Sequence, residues 1–237
     1  LTIAQGASDL HLGAGIQPTT RVSGVMTPVV SEPMLTDEDM LGMLDALLTP
    51  ELKKRFIDTQ EIDFSYAYAD IARFRGNGYF QRGRIGVALR LIPRTIRSIA
   101  ELHLPAVLEQ FAAREQGFFL VVGPVGQGKT TTLAALIEKI NQERTEHVIT
   151  IEDPIEFVHQ HKGCIVTQRE VGVDTESFDA ALKNTLRQAP DLILVGEIRA
   201  RETMDYAIAF AETGHLCLST LHANNANQAM DRIINFF

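Results

Sequence analysis

A glycine-rich run over residues 123–130 carries the clearest chemical signal in the 237-residue sequence. It fits the pattern G-x-x-x-x-G-K-[ST], in which glycines let backbone N–H groups point at phosphate oxygens and the helix that follows directs its positive end at the same anion. Lys129 is expected to reach the β- and γ-phosphates, and the Thr130 hydroxyl to ligate Mg²⁺. The predicted nucleotide-binding residues of this run are Gly123, Pro124, Val125, Gly126, Gln127, Gly128, Lys129, Thr130 and Thr131.

Carboxylates follow two of the apolar strands and are candidates for metal and water chemistry. Glu197 stands one glycine beyond the end of one strand, and Glu152, Asp153 and Glu156 follow another. Parallel sheets hold their ligands at the carboxyl ends of strands, and a cluster of acids there needs a nearby cation. Glu197 is therefore a candidate to hold Mg²⁺ or to polarise water. The alternatives are an ordinary strand end for Glu197 and a solvated acidic turn for the cluster.

A histidine comes at the end of the last predicted strand. That strand delivers Thr220 and His222 to its carboxyl end. An imidazole at this place could respond to a γ-phosphate, because its charge and hydrogen bonding change near neutral pH. A histidine that is simply satisfied by local hydrogen bonds is the alternative.

An acid-free stretch between residues 71 and 100 is unusually rich in arginine for an acidic chain. Its arginines are Arg73, Arg75, Arg82, Arg84, Arg90, Arg94 and Arg97. Arginine is suited to bidentate contact with phosphate and serves as the arginine finger of many ATPases. We expect at least one of them to reach a nucleotide phosphate. Pairing with acids elsewhere and a nucleic-acid patch are the alternatives.

The composition argues against several classes of protein. The net charge of −8 is unsuited to gripping nucleic acid through the overall field, so no nucleic-acid partner is expected. Cys164 and Cys217 belong to no CxxC or Cys/His cluster, so no structural zinc is expected and a reducing compartment fits. The apolar runs are far shorter than the roughly 20 residues of a membrane span. A chain that begins at Leu1 and ends at Phe237 is expected to be a fragment trimmed at both ends.

The elements that must position these residues change character near residues 93–105. Before this point, short strands flank two helices, the first capped by Thr36 and the second beginning at Pro50, which predicts a small α+β domain. After it, continuous apolar strands alternate with helices, which predicts an α/β fold with a parallel sheet covered on both faces. The predicted domains are residues 1–96, a linker with the first helix at 97–116, and a core at 117–237.

Four segments together resemble the secretion-ATPase family, and within it the PilT/PilU twitching-motility ATPases of type IV pili. They are the phosphate loop, IEDPIEFVH at 151–159, VGEIR at 195–199 and ETGHLCLSTLHANNA at 212–226. These segments match the Walker A, Asp box, Walker B and His box of that family. The resemblance covers nearly the whole chain. It implies a PAS-like domain followed by a RecA-like P-loop ATPase core, with the C-terminal part of the core missing.

The resemblance also implies roles for individual residues. Lys129 and Thr130 would bind the phosphates of ATP and Mg²⁺. Glu152 and Glu197 would share metal positioning and activation of the attacking water, without a decision between them as the base. His222 would sense the γ-phosphate. The arginines chosen to neutralise the phosphates are Arg75, Arg82 and Arg90.

The implied function is an ATP-hydrolysing ring hexamer that powers pilus retraction through motion between its two domains. Such a motor would be cytoplasmic, peripheral at the inner membrane, and would act on a pilus platform protein there. A related pilus-assembly or type II secretion ATPase is one alternative, and a nucleic-acid translocase is another. A PilU-like accessory subunit, which binds ATP and modulates a paralogous pilus ATPase, is a third, because residues 161–171 and 182–190 look like the PilU branch.

Overall fold

The computed structural model describes residues 2–69, 71–93 and 95–237. The chain divides into two compact units, Leu1–Arg94 and Thr95–Phe237. Arg94, one of the arginines of the acid-free stretch, lies outside the described residues. No helix in the described ranges is both long enough and apolar enough to cross a membrane.

The described part of the first unit forms one antiparallel sheet with two helices. Its elements are β1 (Asp9–Gly13), β2 (Thr19–Val22), β3 (Val25–Pro28), α1 (Asp37–Leu47), α2 (Pro50–Thr59), β4 (Glu61–Tyr68), β5 (Ala72–Gln81) and β6 (Arg84–Ile92). The strands lie in the order β3-β2-β1-β6-β5-β4, and each neighbouring pair is antiparallel. Ser23 and Gly24 form the turn between β2 and β3.

The helices of the first unit begin where the sequence predicts. The Thr36 side chain accepts from the Asp39 N–H while the Asp39 carboxylate accepts from the Thr36 N–H, which is a complete capping box. Met40 of α1 and Phe56 of α2 are fully buried against the sheet, and each such side chain stabilises the fold by roughly 2 kcal/mol. β5 needs a glycine at Gly76, because a Cβ there would lie 2.3 Å from the ring of Phe64 on β4.

The second unit is a parallel sheet with helices on both faces. Its elements are α3 (Val107–Ala112), β7 (Gly117–Val122), α4 (Lys129–Glu143), β8 (His147–Glu152), β9 (Ile165–Glu170), α5 (Phe178–Thr185), β10 (Leu192–Val195), α6 (Arg201–Glu212), β11 (Leu216–Leu221) and α7 (Ala226–Ile234). The strands lie in the order β7-β11-β10-β8-β9, and all pairs are parallel. The carboxyl ends of β7, β8, β10 and β11 therefore meet at one edge of the sheet.

Alternate residues of the central strands face two separate cores. Val148 of β8 belongs to the core under α3 and α4, whereas its neighbour Ile149 belongs to the core under α5, α6 and α7. Strands buried on both faces must be apolar throughout, which explains the continuous apolar runs that predicted them. Helix α5 ends at Thr185, and the chain continues as a short 3₁₀ turn at Leu186–Gln188.

Candidate nucleotide-binding site

The glycine-rich run forms the loop between β7 and α4, as its pattern predicts. Gly126 and Gly128 have φ angles of 77° and 80°, in the left-handed region that glycine adopts without strain. Gly123 is buried at the strand end, whereas the loop from Pro124 to Gly128 is exposed and Val125 at its tip is 80 % exposed. The loop thus carries its own backbone N–H groups at the positive end of α4, where phosphate binds in proteins of this design.

Lys129, the first residue of α4, is buried and turns its ammonium group back over the loop. Its Nζ donates to the Pro124 carbonyl oxygen at 2.8 Å and lies 3.5 Å from His222 Nδ1. Burial lowers the pKa of Lys129, and the negative charges of Glu197 and Glu156 partly offset this by favouring the ammonium form. The two carboxylates therefore favour the charged form of a lysine whose ammonium group lies next to the phosphate loop.

His222 and Glu197 continue the series of contacts that starts at Lys129. His222 Nε2 lies 3.1 Å from Glu197 Oε2. An ammonium group can only donate a hydrogen bond, so His222 Nδ1 accepts from Lys129. The ring proton is then on Nε2, which donates a hydrogen bond to Glu197. The other carboxylate oxygen of Glu197 pairs with Arg199, whose second nitrogen lies 4.0 Å from Asp153 Oδ2. The ends of β8, β10 and β11 are thereby linked to the phosphate loop.

Glu152 is buried, whereas a general base is expected to be in contact with the attacking water. It is the last residue of β8 and only 6 % exposed. Its Oε1 accepts from Thr150 Oγ1 at 2.6 Å and from Gln168 Nε2 at 3.1 Å. Burial raises the pKa of Glu152, against these hydrogen bonds. With Thr130 it lines an enclosed cavity of about 20 Å³, which has room for one water.

Glu156, exposed on the loop after β8, is the acid of this cluster whose charge favours the ammonium form of Lys129. The sequence shows it only as one of three clustered acids, and the family resemblance assigns the role to Glu152. The signal that separates them is the strand pattern, because Glu152 completes the buried strand HVITIE while Glu156 lies four residues beyond it.

The predicted phosphate-neutralising arginines fall into two groups. Arg90 on β6 donates from Nε to Asp9 Oδ1 at 2.9 Å, so it already has a counterion within its own unit. Arg75 is exposed on β5, directly opposite Arg90, and Arg82 stands in the β5–β6 turn with a φ of 51°. Among the described residues, no carboxylate pairs with Arg75 or Arg82. Their roles toward phosphate stay predictions.

The donor set fits a magnesium ion. Thr130 offers a hydroxyl oxygen at the start of α4, and Glu197 offers carboxylate oxygens at the end of β10. Oxygen donors of these two kinds, completed by phosphate oxygens and water, are what Mg²⁺ takes in nucleotide sites. Both Glu197 oxygens are engaged, one by His222 and one by Arg199, so metal binding would have to share or replace these contacts.

A glycine-rich phosphate loop between a parallel strand and a helix, with carboxylate and histidine at neighbouring strand ends, defines a P-loop nucleotide-binding domain. The profile of the family described as "Type II/IV secretion system protein" matches residues 86–236. The chain belongs to this family.

Two curated proteins of Pseudomonas aeruginosa are closely similar to the chain. "Type IV pilus ATPase PilU" is 50 % identical over 240 residues, which cover 100 % of this chain and 62 % of that protein. "Type IV pilus retractation ATPase PilT" is 42 % identical over 233 residues, covering 98 % and 67 %. The chain therefore spans about two thirds of the length of these relatives.

Solved structures of the same group share the fold. The pilus retraction motor PilT with bound ADP matches with a TM-score of 0.95 and 43 % identity, over 100 % of this chain and 69 % of that one. The Legionella pneumophila ATPase DotB matches with a TM-score of 0.86 and 28 % identity, over 100 % and 67 %. These matches confirm the predicted α/β fold class. They also confirm the resemblance to the PilT/PilU ATPases.

Proposed function

We propose that the chain is the ATP-hydrolysing part of a type IV pilus motor. The observation that carries the proposal is the series from Lys129 through His222 to Glu197, which joins the phosphate loop to two other strand ends. The pilus ATPases PilU and PilT, similar over nearly the whole chain, support the assignment to pili.

The phosphate loop would bind the triphosphate and α4 would stabilise its charge. The N–H groups of residues 123–128 and the ammonium of Lys129 are placed to neutralise the β- and γ-phosphates. Thr130 and Glu197 would hold Mg²⁺, which neutralises charge on the bridging and terminal phosphate oxygens. His222, fixed between Lys129 and Glu197, would respond to a γ-phosphate because any displacement of Lys129 removes the donor to its Nδ1.

Activation of the attacking water would fall to Glu197 or Glu156. Both carboxylates favour the ammonium form of Lys129 electrostatically, which supports a place for them on the phosphate side of the site. Glu152, the other predicted base, is buried and is joined through Gln168 to the loop that carries Glu156. We assign Glu152 the part of supporting this loop, and Glu197 or Glu156 the part of water activation.

The larger machine is part of the same proposal. The chain would act in a homo-hexamer at the cytoplasmic face of the inner membrane, where it would power pilus retraction against a platform protein. The relatives named as retraction motors support this direction of work. Nucleotide-driven motion between the two domains stays a prediction.

An accessory role is the second candidate, because the identity to PilU, 50 %, exceeds that to PilT, 42 %. In that role the chain would bind ATP and modulate a paralogous pilus ATPase.

Steady-state ATP hydrolysis by the purified chain tests both candidates, with the mass in solution recorded and Lys129→Ala as the inactive control. Turnover by the chain alone supports the motor, and turnover that appears only with a paralogous pilus ATPase supports the accessory subunit. Stimulation by single-stranded DNA would instead indicate a nucleic-acid translocase. Equal turnover in the Lys129→Ala chain would overturn the site assignment.

A further inference from the structure

The loop over residues 153–159, which carries Glu156, is fastened to the sheet by side chains rather than by strand pairing. Glu170 Oε2 on β9 accepts from the Ile155 N–H at 3.1 Å. Gln168 on β9 makes two further contacts with the loop, at Phe157 and His159. Three backbone groups of the loop are therefore held by two side chains of β9.

Gln168 is the centre of this arrangement. Its Nε2 donates to the Phe157 carbonyl oxygen at 2.8 Å and to Glu152 Oε1 at 3.1 Å, and its Oε1 accepts from the His159 N–H at 2.8 Å. An amide offers two N–H donors and one carbonyl acceptor on one rigid plane, and all three kinds of contact are used here. No other side chain of this length supplies the same set.

Strand register explains how a side chain of β9 reaches both Glu152 and the loop. β9 pairs with β8 so that Gln168 lies opposite Thr150, and both residues direct a donor to Glu152 Oε1. The neighbouring Thr167 makes its side-chain contact elsewhere, with His147 Nε2 at 2.9 Å. Gln168 therefore ties a buried carboxylate and a surface loop into one unit.

We propose that Gln168 is a positioning residue that holds the 153–159 loop, and with it the exposed Glu156, at the carboxyl end of β8. The proposal rests on the proposed function in one respect, that a carboxylate at this place serves ATP hydrolysis. Within the described residues, the hydrogen bonds of Gln168 go to Glu152, Phe157 and His159 and to no residue of the phosphate loop. Its loss should therefore lower turnover while nucleotide affinity is kept.

Gln168→Met removes all three hydrogen bonds at nearly constant volume, and Thr167→Val is the matched control, because it also removes a side-chain hydrogen bond from β9. Hydrogen exchange of the peptide spanning 153–159 reads the loop directly and needs no catalysis. We expect faster exchange there in Gln168→Met and wild-type exchange in Thr167→Val. We also expect kcat to fall at least about tenfold in Gln168→Met, because a catalytic group displaced by an ångström loses much of its effect. The dissociation constant of ADP should stay within about twofold of the wild-type value.

A second pair of variants separates positioning from general damage. Gln168→Glu keeps the acceptor for the His159 N–H and loses both donors, so it provides the test if Gln168→Met unfolds. In a Glu156→Gln background, Gln168→Met should cost no further turnover, because the residue it positions is already disabled.

The outcomes decide the proposal separately from the proposed function. Unchanged exchange over 153–159, unchanged kcat with a loosened loop, or a fall in ADP affinity equal to the fall in kcat would each overturn it. If the wild-type chain and its paralogue together hydrolyse no ATP, the proposed function fails. The exchange measurement still decides in that case whether Gln168 holds the loop.

Discussion

Charged side chains are used differently in the two units. In the first unit the guanidinium of Arg90 donates to Asp9, with which Arg21 also pairs at 3.3 Å. The Asp9 carboxylate is therefore neutralised by arginines of its own unit. In the second unit Lys129 and Glu197 are joined only through His222, and their charges converge on a loop that faces solvent. The first arrangement is complete without a ligand, whereas the second leaves backbone N–H groups and an ammonium group directed at an anion site.

This difference predicts whether a substitution should change stability or turnover. Exposed ion pairs contribute little to stability and nothing to chemistry that occurs elsewhere, so their removal should be mild. Groups that converge on a phosphate site act on the reaction itself, and their loss should appear in turnover more than in folding. The predictions below test this contrast from the largest expected effect to the smallest.

Lys129→Ala should have the largest effect. The ammonium group of Lys129 lies at the phosphate loop, where it donates to the Pro124 carbonyl oxygen. Without it, turnover should fall about 10³-fold, because a preorganised charge is lost where the transition state needs it. Steady-state hydrolysis with ADP binding measured alongside checks this. A variant with more than a tenth of the wild-type rate would break the contrast between the units.

Glu197→Gln should come next, with ATP binding kept and turnover lowered about 10²-fold, as for loss of a group that polarises water. The amide still accepts from His222 Nε2, so the local structure should persist. Glu152→Gln is the informative partner, because the buried Glu152 is already held by Thr150 and Gln168 and should lose less activity. A larger loss in Glu152→Gln than in Glu197→Gln would return the base assignment to Glu152.

His159 should affect stability and leave turnover nearly unchanged. Burial lowers its pKa from 6.5 to about 4, with Glu138 opposing this shift and Lys162 adding to it. Because the unfolded chain then binds the proton more readily than the folded one, stability is lost as the pH falls from about 6.5 to about 4. The loss should reach about 3 kcal/mol.

Urea unfolding between pH 4 and pH 8 measures this loss. The His159→Gln variant should lack that part of the slope, while substitution of the exposed His103 by Gln should leave the wild-type slope in place. Equal slopes in His159→Gln and in the wild type would show that folding does not lower the pKa of His159.

The phosphate loop and its strand ends could be predicted from the sequence because their determinants are local. Continuous apolar runs mark strands buried on both faces, and the glycines and the lysine lie within eight consecutive residues. β9 was missed because only Ile165 and Val166 of its six residues are apolar, and its polar side chains serve as contacts for the 153–159 loop. An edge strand with such polar side chains shows neither the apolar–polar alternation of a half-buried strand nor the continuous apolar run of a fully buried one.

Ion pairs between distant segments could not be predicted for a different reason. Arg90 and Asp9 are 81 positions apart, and only the antiparallel register of β1 with β6 brings them opposite each other. For the same reason, the sequence alone could not show which of Glu152 and Glu156 lies near the lysine. Which acid faces the lysine depends on the path of the loop after β8, and that path is set by contacts with β9.

Arg90→Gln should have the smallest effect and is the sharpest test of the contrast. Asp9 is buried, and although burial alone raises its pKa, the hydrogen bond and charge of Arg90 help to hold this pKa below the ordinary value. Stability supplied by this pair is present at neutral pH and is lost as the pH falls through the lowered pKa of Asp9. Arg21 and Ser8 remain as partners of Asp9, so the substitution should cost about 1 kcal/mol or less at pH 7.

Turnover should stay within about twofold of wild type in Arg90→Gln, because the guanidinium is already engaged by a carboxylate of its own unit. Arg75→Gln is the matched variant, since Arg75 lies directly opposite on β5 and has no carboxylate partner among the described residues. If Arg75 is the predicted phosphate ligand, its variant should lose activity where Arg90→Gln does not. A large loss of turnover in Arg90→Gln with unchanged stability would mean that Arg90 leaves Asp9 for the nucleotide, and the ion pair would then be a resting contact of the reaction cycle.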